Sequence, residues 1–261
     1  MGPLNLVRQT LQRALPFETY LRVLSAGFLA PDRLDLFAPI HARVRFLRRL
    51  IRPGDVCVDV GANLGYFTVP LSRLVGPTGR VYTVEPVASF RTVLRANVRT
   101  FGHPDRVAVL PVALGSDDHA EVLLATAEVN GIARHGMTEV VQDQAPRSRF
   151  THTATMRRPD TLFAHLDRLD FLKVDIEGFE TEVMPLFADL IAAHQPVLEI
   201  EAGSDASVEA LRTLIEPLGY QTCLLHENGL VPLDEVMQRG GPADRDHPDR
   251  ELYFWPHARR G

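Results

Sequence analysis

Short, almost wholly apolar runs alternate along this chain with stretches in which apolar residues recur every three or four positions. DVCVDV (55–60), RVYTVE (80–85), RVAVLPVAL (106–114), LDFLKVDI (169–176), PVLEIE (196–201), YQTCLL (220–225) and ELYFWP (251–256) read as strands. YFTVPLSRLV, VASFRTVLRANVRTF (87–101), TLFAHL, ETEVMPLFADLIAAH and DASVEALRTLIEPL (205–218) read as helices, the fourth kinked at Pro185. Strands that are apolar on both faces and separated by helices predict an α/β, doubly wound, mostly parallel sheet. Pro111 cannot donate to a ladder, which predicts an edge or a bulge in the third strand.

Two segments depart from this rhythm. Residues 1–50 carry leucines and arginines at helical spacing, as in RLDLFAPIHARVRFLRRLIRPG, and are stopped by Pro53-Gly54. They predict an N-terminal helical extension ahead of a domain at 51–261. Its amphipathic helices leave open packing on the domain, on a second copy in a homo-oligomer, or as a lid. Within the domain, AEVLLATAE and FTHTATM alternate like exposed β-ribbons, joined by a polar loop with Gly131, Gly136 and Pro146. This insert, about 115–158, is expected to wall the site.

Composition narrows the class. The chain has 261 residues, 45% hydrophobic, enough for one large α/β domain. A formal net charge of −5 argues against nucleic acid as a partner. Cys57 and Cys223 lie in apolar runs and read as reduced core residues. No apolar run approaches the roughly 18 residues of a membrane span, so a soluble, cytoplasmic protein is expected.

The chemistry begins at VDVGANLGYF. A dinucleotide turn, G-x-G-x-x-G, needs glycines at 61, 63 and 66, but the chain has Gly61, Asn63 and Tyr66. The glycines that admit a pyrophosphate and pack the helix are missing. Asp59, just before the turn, suits a cationic ligand. Glu85, at the tip of the second strand, stands where a carboxylate takes both hydroxyls of an adenosine ribose. Together these point to S-adenosylmethionine (SAM), with a nicotinamide-linked Rossmann oxidoreductase, or a SAM-binding protein without catalysis, as the rival readings.

PGDVCVDVGANLGYFTVPLSRLVGPTGRVYTVEP, then FLKVDIEGFETEVM, then PVLEIE resemble the FkbM-type SAM-dependent methyltransferases over about residues 45–256. The resemblance implies a class I methyltransferase sheet of seven strands, the last antiparallel. It also implies methyl transfer to a hydroxyl oxygen of a natural product, a sugar or a lipid-linked sugar. Asp59, Gly61, Ala62, Asn63, Gly65 and Glu85 would contact SAM, with Tyr66 and Pro86 beside them and Asp175 facing the donor. Asp160, in a segment that departs from the family pattern, is given no catalytic role.

KVDIEGFE carries the remaining candidates. Strand alternation puts Lys173, the chain's single lysine, and Asp175 on one face. A lysine inside a buried strand needs partners, and Asp175, Asp59, Glu199 and Glu201 are the nearest expected. Glu177 and Glu180 sit at a helix start, where capping is an alternative role. Asp175, His135 and His226 are candidate bases for deprotonating a hydroxyl. Asn130, Arg134 and His135 are expected in the insert's polar stretch, facing the acceptor. Asp175, Glu177, Glu199 and Glu201 could hold Mg²⁺, but Lys173 neutralises part of that cluster, so the metal-free reading is preferred.

Overall fold

Each of the seven apolar runs contributes a strand to one sheet, the third with only its first half. In the computed structural model, residues 10–12, 14–32, 39–129, 132–141, 150–226, 229–238 and 250–259 are described. The strands are β1 (Val56–Val60), β2 (Arg80–Val84), β3 (Val107–Leu110), β8 (Phe171–Val174), β9 (Val197–Ala202), β10 (Tyr220–His226) and β12 (Arg250–Pro256). Between β3 and β8 come β4 (Val112–Leu114), β5 (Glu121–Val129), β6 (Ile132–Val140) and β7 (Thr151–Arg157). The order across the main sheet is β3-β2-β1-β8-β9-β12-β10, with β12 antiparallel to both neighbours. A short hairpin strand, β11 (Gly229–Pro232), adds an eighth member beside β10.

The helices are α1 (Phe17–Asp32), α2 (Pro39–Leu50), α3 (Thr68–Leu74), α4 (Ala88–Phe101), α5 (Pro159–Leu162), α6 (Glu180–Val183), α7 (Ala188–His194), α8 (Asp205–Ile215) and α9 (Leu233–Gln238). The stretch expected to kink at Pro185 is α6, one 3₁₀ turn over Met184–Phe187, and α7. No described helix is long and apolar enough to cross a membrane.

Period-2 alternation divides the sheet's two faces. Val58, Leu172, Val174, Leu198 and Ile200 face Val183, Ile191 and Leu211. Cys57, Phe171, Val197 and Tyr253 face Phe46, Leu47 and Leu50 of α2 and Leu71 of α3. Both cysteines are free and buried. The N-terminal helices therefore belong to the core. Tyr20 and Leu21 of α1 pack with Phe90 and Val93 of α4, and Asn97 donates to Ser25 at 2.9 Å in the buried interface.

Pro111 breaks the third run as expected. Its first half, β3, is the sheet's edge, and its second half, β4, joins a separate sheet of order β4-β7-β5-β6. One expectation is corrected there. Arg134, His135 and Gly136 lie within strand β6, not in a loop, at the irregularity between the pairs Thr126↔Thr138 and Glu128↔Ala133. Regular pairing on both sides keeps them in the strand, and Gly136 falls where the register shifts, as a glycine in a strand often does. Asn130, Gly131 and Pro146 lie outside the described residues.

Candidate active site

The chain leaves β1 at Val60 and turns through Gly61 to Gly65 into α3. Gly61 has φ +74°, and a Cβ there would lie 1.8 Å from the carbonyl oxygen of Asp175. The turn is thus pressed against the tip of β8, and only glycine allows it. The amides of Gly61 and Ala62 both donate to the Val84 carbonyl at 3.1 Å, tying the turn to β2. Gly65 donates to the Ala62 carbonyl at 2.8 Å, closing it.

Glu85 follows β2 and is 4% exposed. Its two carboxylate oxygens accept the amides of Asn63 at 2.8 Å and Val87 at 2.7 Å. Burial pushes its carboxyl up to about 7 despite these bonds. Asn63 adopts φ +52°, and its side chain is turned to the insert. Its Nδ2 donates to the His135 carbonyl at 2.6 Å, and its Oδ1 lies 3.0 Å from His135 Nδ1. An amide oxygen only accepts, so Nδ1 carries a proton and donates to it. In this way the structure brings Asn63 and His135 together across two sheets.

A cavity of about 580 Å³ opens over these elements. One side is apolar, with Phe90, Val112, Ala113, Leu114, Leu124 and Val140. Asn63, Tyr66, Glu85, Pro86 and His135 line its middle, and the far end is charged.

Three neighbouring strands set that charged end. Asp59, Lys173 and Glu199 sit side by side across β1, β8 and β9. Lys173 is 2% exposed. It donates to Asp175 Oδ2 at 2.8 Å and lies 4.0 Å from Asp59 Oδ1. Burial alone would depress its ammonium, but Asp175 and Asp59 together lift it above the ordinary lysine value. Burial likewise pushes Asp175 up, but Lys173, a hydrogen bond from Glu201 and Arg43 together outweigh it, so the carboxyl ends below its usual value and is ionised at neutral pH. Asp59 accepts the Thr68 hydroxyl at 2.6 Å. Burial dominates there and raises it.

Glu199 is not drawn to Lys173. Arg43, from α2, donates Nε to its Oε1 at 2.8 Å and pairs through Nη1 with Glu251 of β12. The oxygens that converge closely are those of Asp175, Glu177 and Glu201, one from each lying within 4.8 Å of the others. The expected acidic set thus keeps Asp175, Glu177 and Glu201 and loses Glu199, because an arginine from the N-terminal helices takes it. Glu201 stands directly opposite Glu251 on β12. Burial and Asp175 push Glu201 up to about 10, so it holds its proton at neutral pH. Burial, partly offset by Arg43, pushes Glu251 up to about 8.

Other expected residues fall outside the cavity. His226 ends β10 exposed, paired with Gly229 in the β11 hairpin, three strands from β8. Arg134 is half-buried in β6 beside the lining residue His135. Glu180 accepts the amides of Ile176 at 2.7 Å and Gly178 at 3.0 Å and so holds the turn after β8. Asp160 pairs with Arg158 away from the site. Arg43 and Glu251 line the cavity without having been singled out in the sequence. Arg43 is one of several arginines in HARVRFLRRL, and no local signal separates it from the others.

The residues suit SAM. Glu85 is buried yet borders the cavity at the tip of β2, where a ribose diol can donate to it. Asp59 Oδ1 is buried without a hydrogen-bond partner at the same cavity. The apolar side opposite accommodates an adenine. The strand order with its reversed strand, and a glycine turn that is not a pyrophosphate turn, define a SAM-dependent methyltransferase of class I architecture. Residues 59–222 match the "Methyltransferase FkbM domain" family, and the chain belongs to that family.

The crystal structure of methyltransferase FkbM from Methylobacillus flagellatus KT is similar over 95% of this chain and 58% of that one, with TM-score 0.53 and 22% identity. AMB antimetabolite synthetase AmbE of Pseudomonas aeruginosa is 24% identical over 214 residues, 67% of this chain and 10% of that protein. Protein-L-isoaspartate O-methyltransferase of Aeropyrum pernix is 39% identical over 59 residues, 23% of each chain. The chain thus spans a tenth to a quarter of these two curated relatives.

Proposed function

We propose that the protein transfers the methyl group of SAM to a hydroxyl oxygen of a small molecule. The observation that carries this reading is the meeting of the Gly61 turn with Asp175, whose carboxylate Lys173 keeps ionised beside the ligand-bearing turn. Glu85 would hold the ribose, Phe90 and Leu124 would flank the adenine, and Asp59 would face the cationic amino-acid portion. Bound SAM supplies an electrophilic methyl carbon on a sulfonium.

The protein's own work is alignment and proton handling. Methyl transfer is an in-line displacement, so holding the acceptor oxygen on axis supplies much of the rate. Asp175 accepts the hydrogen bond of the acceptor hydroxyl and takes its proton as the new bond forms. Glu201, protonated beside it, donates a hydrogen bond to Asp175 and steadies its charge before transfer. His135 lines the cavity from the insert and orients the acceptor molecule. A hydroxyl is supported by this carboxylate-rich end, which suits taking a proton from oxygen. The relatives named for O-methyl transfer and for antimetabolite synthesis support oxygen as the atom and a natural product as the acceptor's class.

The nicotinamide alternative is weakened by Asn63. Its amide donates to Glu85 and its side chain to the insert, so the turn does not present them to a pyrophosphate. Isothermal titration with S-adenosylhomocysteine, with NADH in parallel, tests the cofactor. Micromolar binding of the first alone is expected, and the reverse would overturn the reading. Transfer from methyl-tritiated SAM to a panel of hydroxyl, amine and carbon acceptors then tests the atom. Label retained only on amines or carbons would refute O-transfer.

A further inference from the structure

Arg43 lies outside the matched residues 59–222, on a helix that precedes them, yet its side chain lines the cavity. α2 lays Phe46, Leu47 and Leu50 into the core against the sheet. Arg43, one helical turn before Leu47, is thereby carried to the ends of β9 and β12. Glu199 and Glu251 hold the guanidinium, and the ring of Phe67 lies under it at 4.7 Å. Its Nη2 is buried without a hydrogen bond of good geometry, although Glu199 Oε1 is 2.5 Å away.

Only two cations line this cavity among the described residues, Arg43 and Lys173. Lys173 sits beneath the site, its side chain 3% exposed and its ammonium bonded to Asp175; the Arg43 side chain is 16% exposed. Around them the same end carries Asp59, Asp175, Glu177, Glu201 and Glu251. SAM has an α-carboxylate at the opposite end from its ribose. With the ribose at Glu85 on β2, the amino-acid end extends across β1 toward β8 and beyond. Lys173 is already committed to Asp175, so Arg43 is the cation at this end that an arriving carboxylate can meet. A guanidinium already fixed by two carboxylates and a ring loses little freedom on binding it.

We propose that Arg43 binds the α-carboxylate of SAM, so that the helix preceding the family domain completes the cofactor site. This rests on the SAM reading above. The two ends of the ligand separate the proposals experimentally. S-adenosylhomocysteine carries the amino acid, and 5′-methylthioadenosine keeps the adenosine and thioether but lacks it. Both are titrated into the full-length wild type, Arg43→Gln and Arg43→Lys.

The expected result is a loss of S-adenosylhomocysteine affinity on the order of 10- to 100-fold in Arg43→Gln. Methylthioadenosine affinity should stay within about twofold, and Arg43→Lys should recover part of the loss. Unchanged S-adenosylhomocysteine affinity in Arg43→Gln overturns the proposal. So does an equal loss for both ligands in both variants, which makes Arg43 a structural partner of Glu199 and Glu251. If Arg43→Gln does not fold, Arg43→Lys decides by the same comparison. A wild type that binds neither ligand overturns the SAM reading itself.

Discussion

Gly61 and Asp175, just past the ends of neighbouring strands but 114 residues apart, approach so closely that a Cβ on residue 61 would lie 1.8 Å from the Asp175 carbonyl oxygen. Gly61→Ala must both push the two strand tips apart and hold a left-handed φ. Gly178 has φ +93° but open space around its Cβ position. Gly178→Ala should therefore cost only the backbone term, about 1–2 kcal/mol. Gly61→Ala should cost several kcal/mol and abolish S-adenosylhomocysteine binding. Urea unfolding of both variants checks this, and similar losses would mean the close approach is not a constraint.

Glu85 supplies a pH dependence. Its carboxyl is raised from 4.5 to about 7, so between those values the folded chain keeps a proton that the unfolded chain releases. Its contribution thus destabilises the ligand-free protein as pH rises through that window, by on the order of 3 kcal/mol. A ribose diol donates to the ionised form, so ligand affinity should move the other way. S-adenosylhomocysteine should bind about tenfold more tightly at pH 8 than at pH 6. Glu85→Gln should bind it more weakly by roughly 1.5–3 kcal/mol and lose the pH dependence. A variant that keeps the wild-type profile would remove Glu85 from the site.

Lys173→Met takes away the buried cation between Asp175 and Asp59. Leaving such charges unpaired costs about 3–5 kcal/mol. Without the lysine both carboxyls titrate higher, so the loss should be larger at pH 8 than at pH 5, where they can take up protons. Equilibrium unfolding at the two pH values measures this. Equal destabilisation at both would show that Lys173 contributes packing rather than charge.

Asp175→Asn should lower turnover by about 10²-fold or more, the usual range for a lost proton acceptor. Ligand affinity should change only a few-fold. Matching losses in both would assign Asp175 to binding alone. Turnover should also survive EDTA, because Lys173 and the proton on Glu201 already neutralise part of the acidic group. Activity lost to EDTA and restored by Mg²⁺ would instead put an ion at Asp175, Glu177 and Glu201.

The sheet and the turn were legible in the residues. Strands buried on both faces must be apolar throughout, so DVCVDV or PVLEIE can be read locally. Pro111 marks an edge because a missing amide is a local fact. The alternation that puts Lys173 and Asp175 on one face is equally local, and the lysine's need for a counter-charge names Asp175, Asp59, Glu199 and Glu201, of which the fold gives it the first two. Side-chain partnerships between distant segments are different. Glu199 and Glu177 are both carboxylates near a strand end, and only the docking of α2 decides that Arg43 takes the first. His226 ends a strand at the correct edge, but β12 lies between β9 and β10, leaving it about 14 Å from β8 at ordinary strand spacing. Arg134 to Gly136 look like a loop, and only the pairing of β5 on both sides of them shows an irregularity inside a strand. A local pattern records which face of an element must be buried. Which side chains then meet depends on how those faces stack, and in this chain that decides the charged end of the cavity.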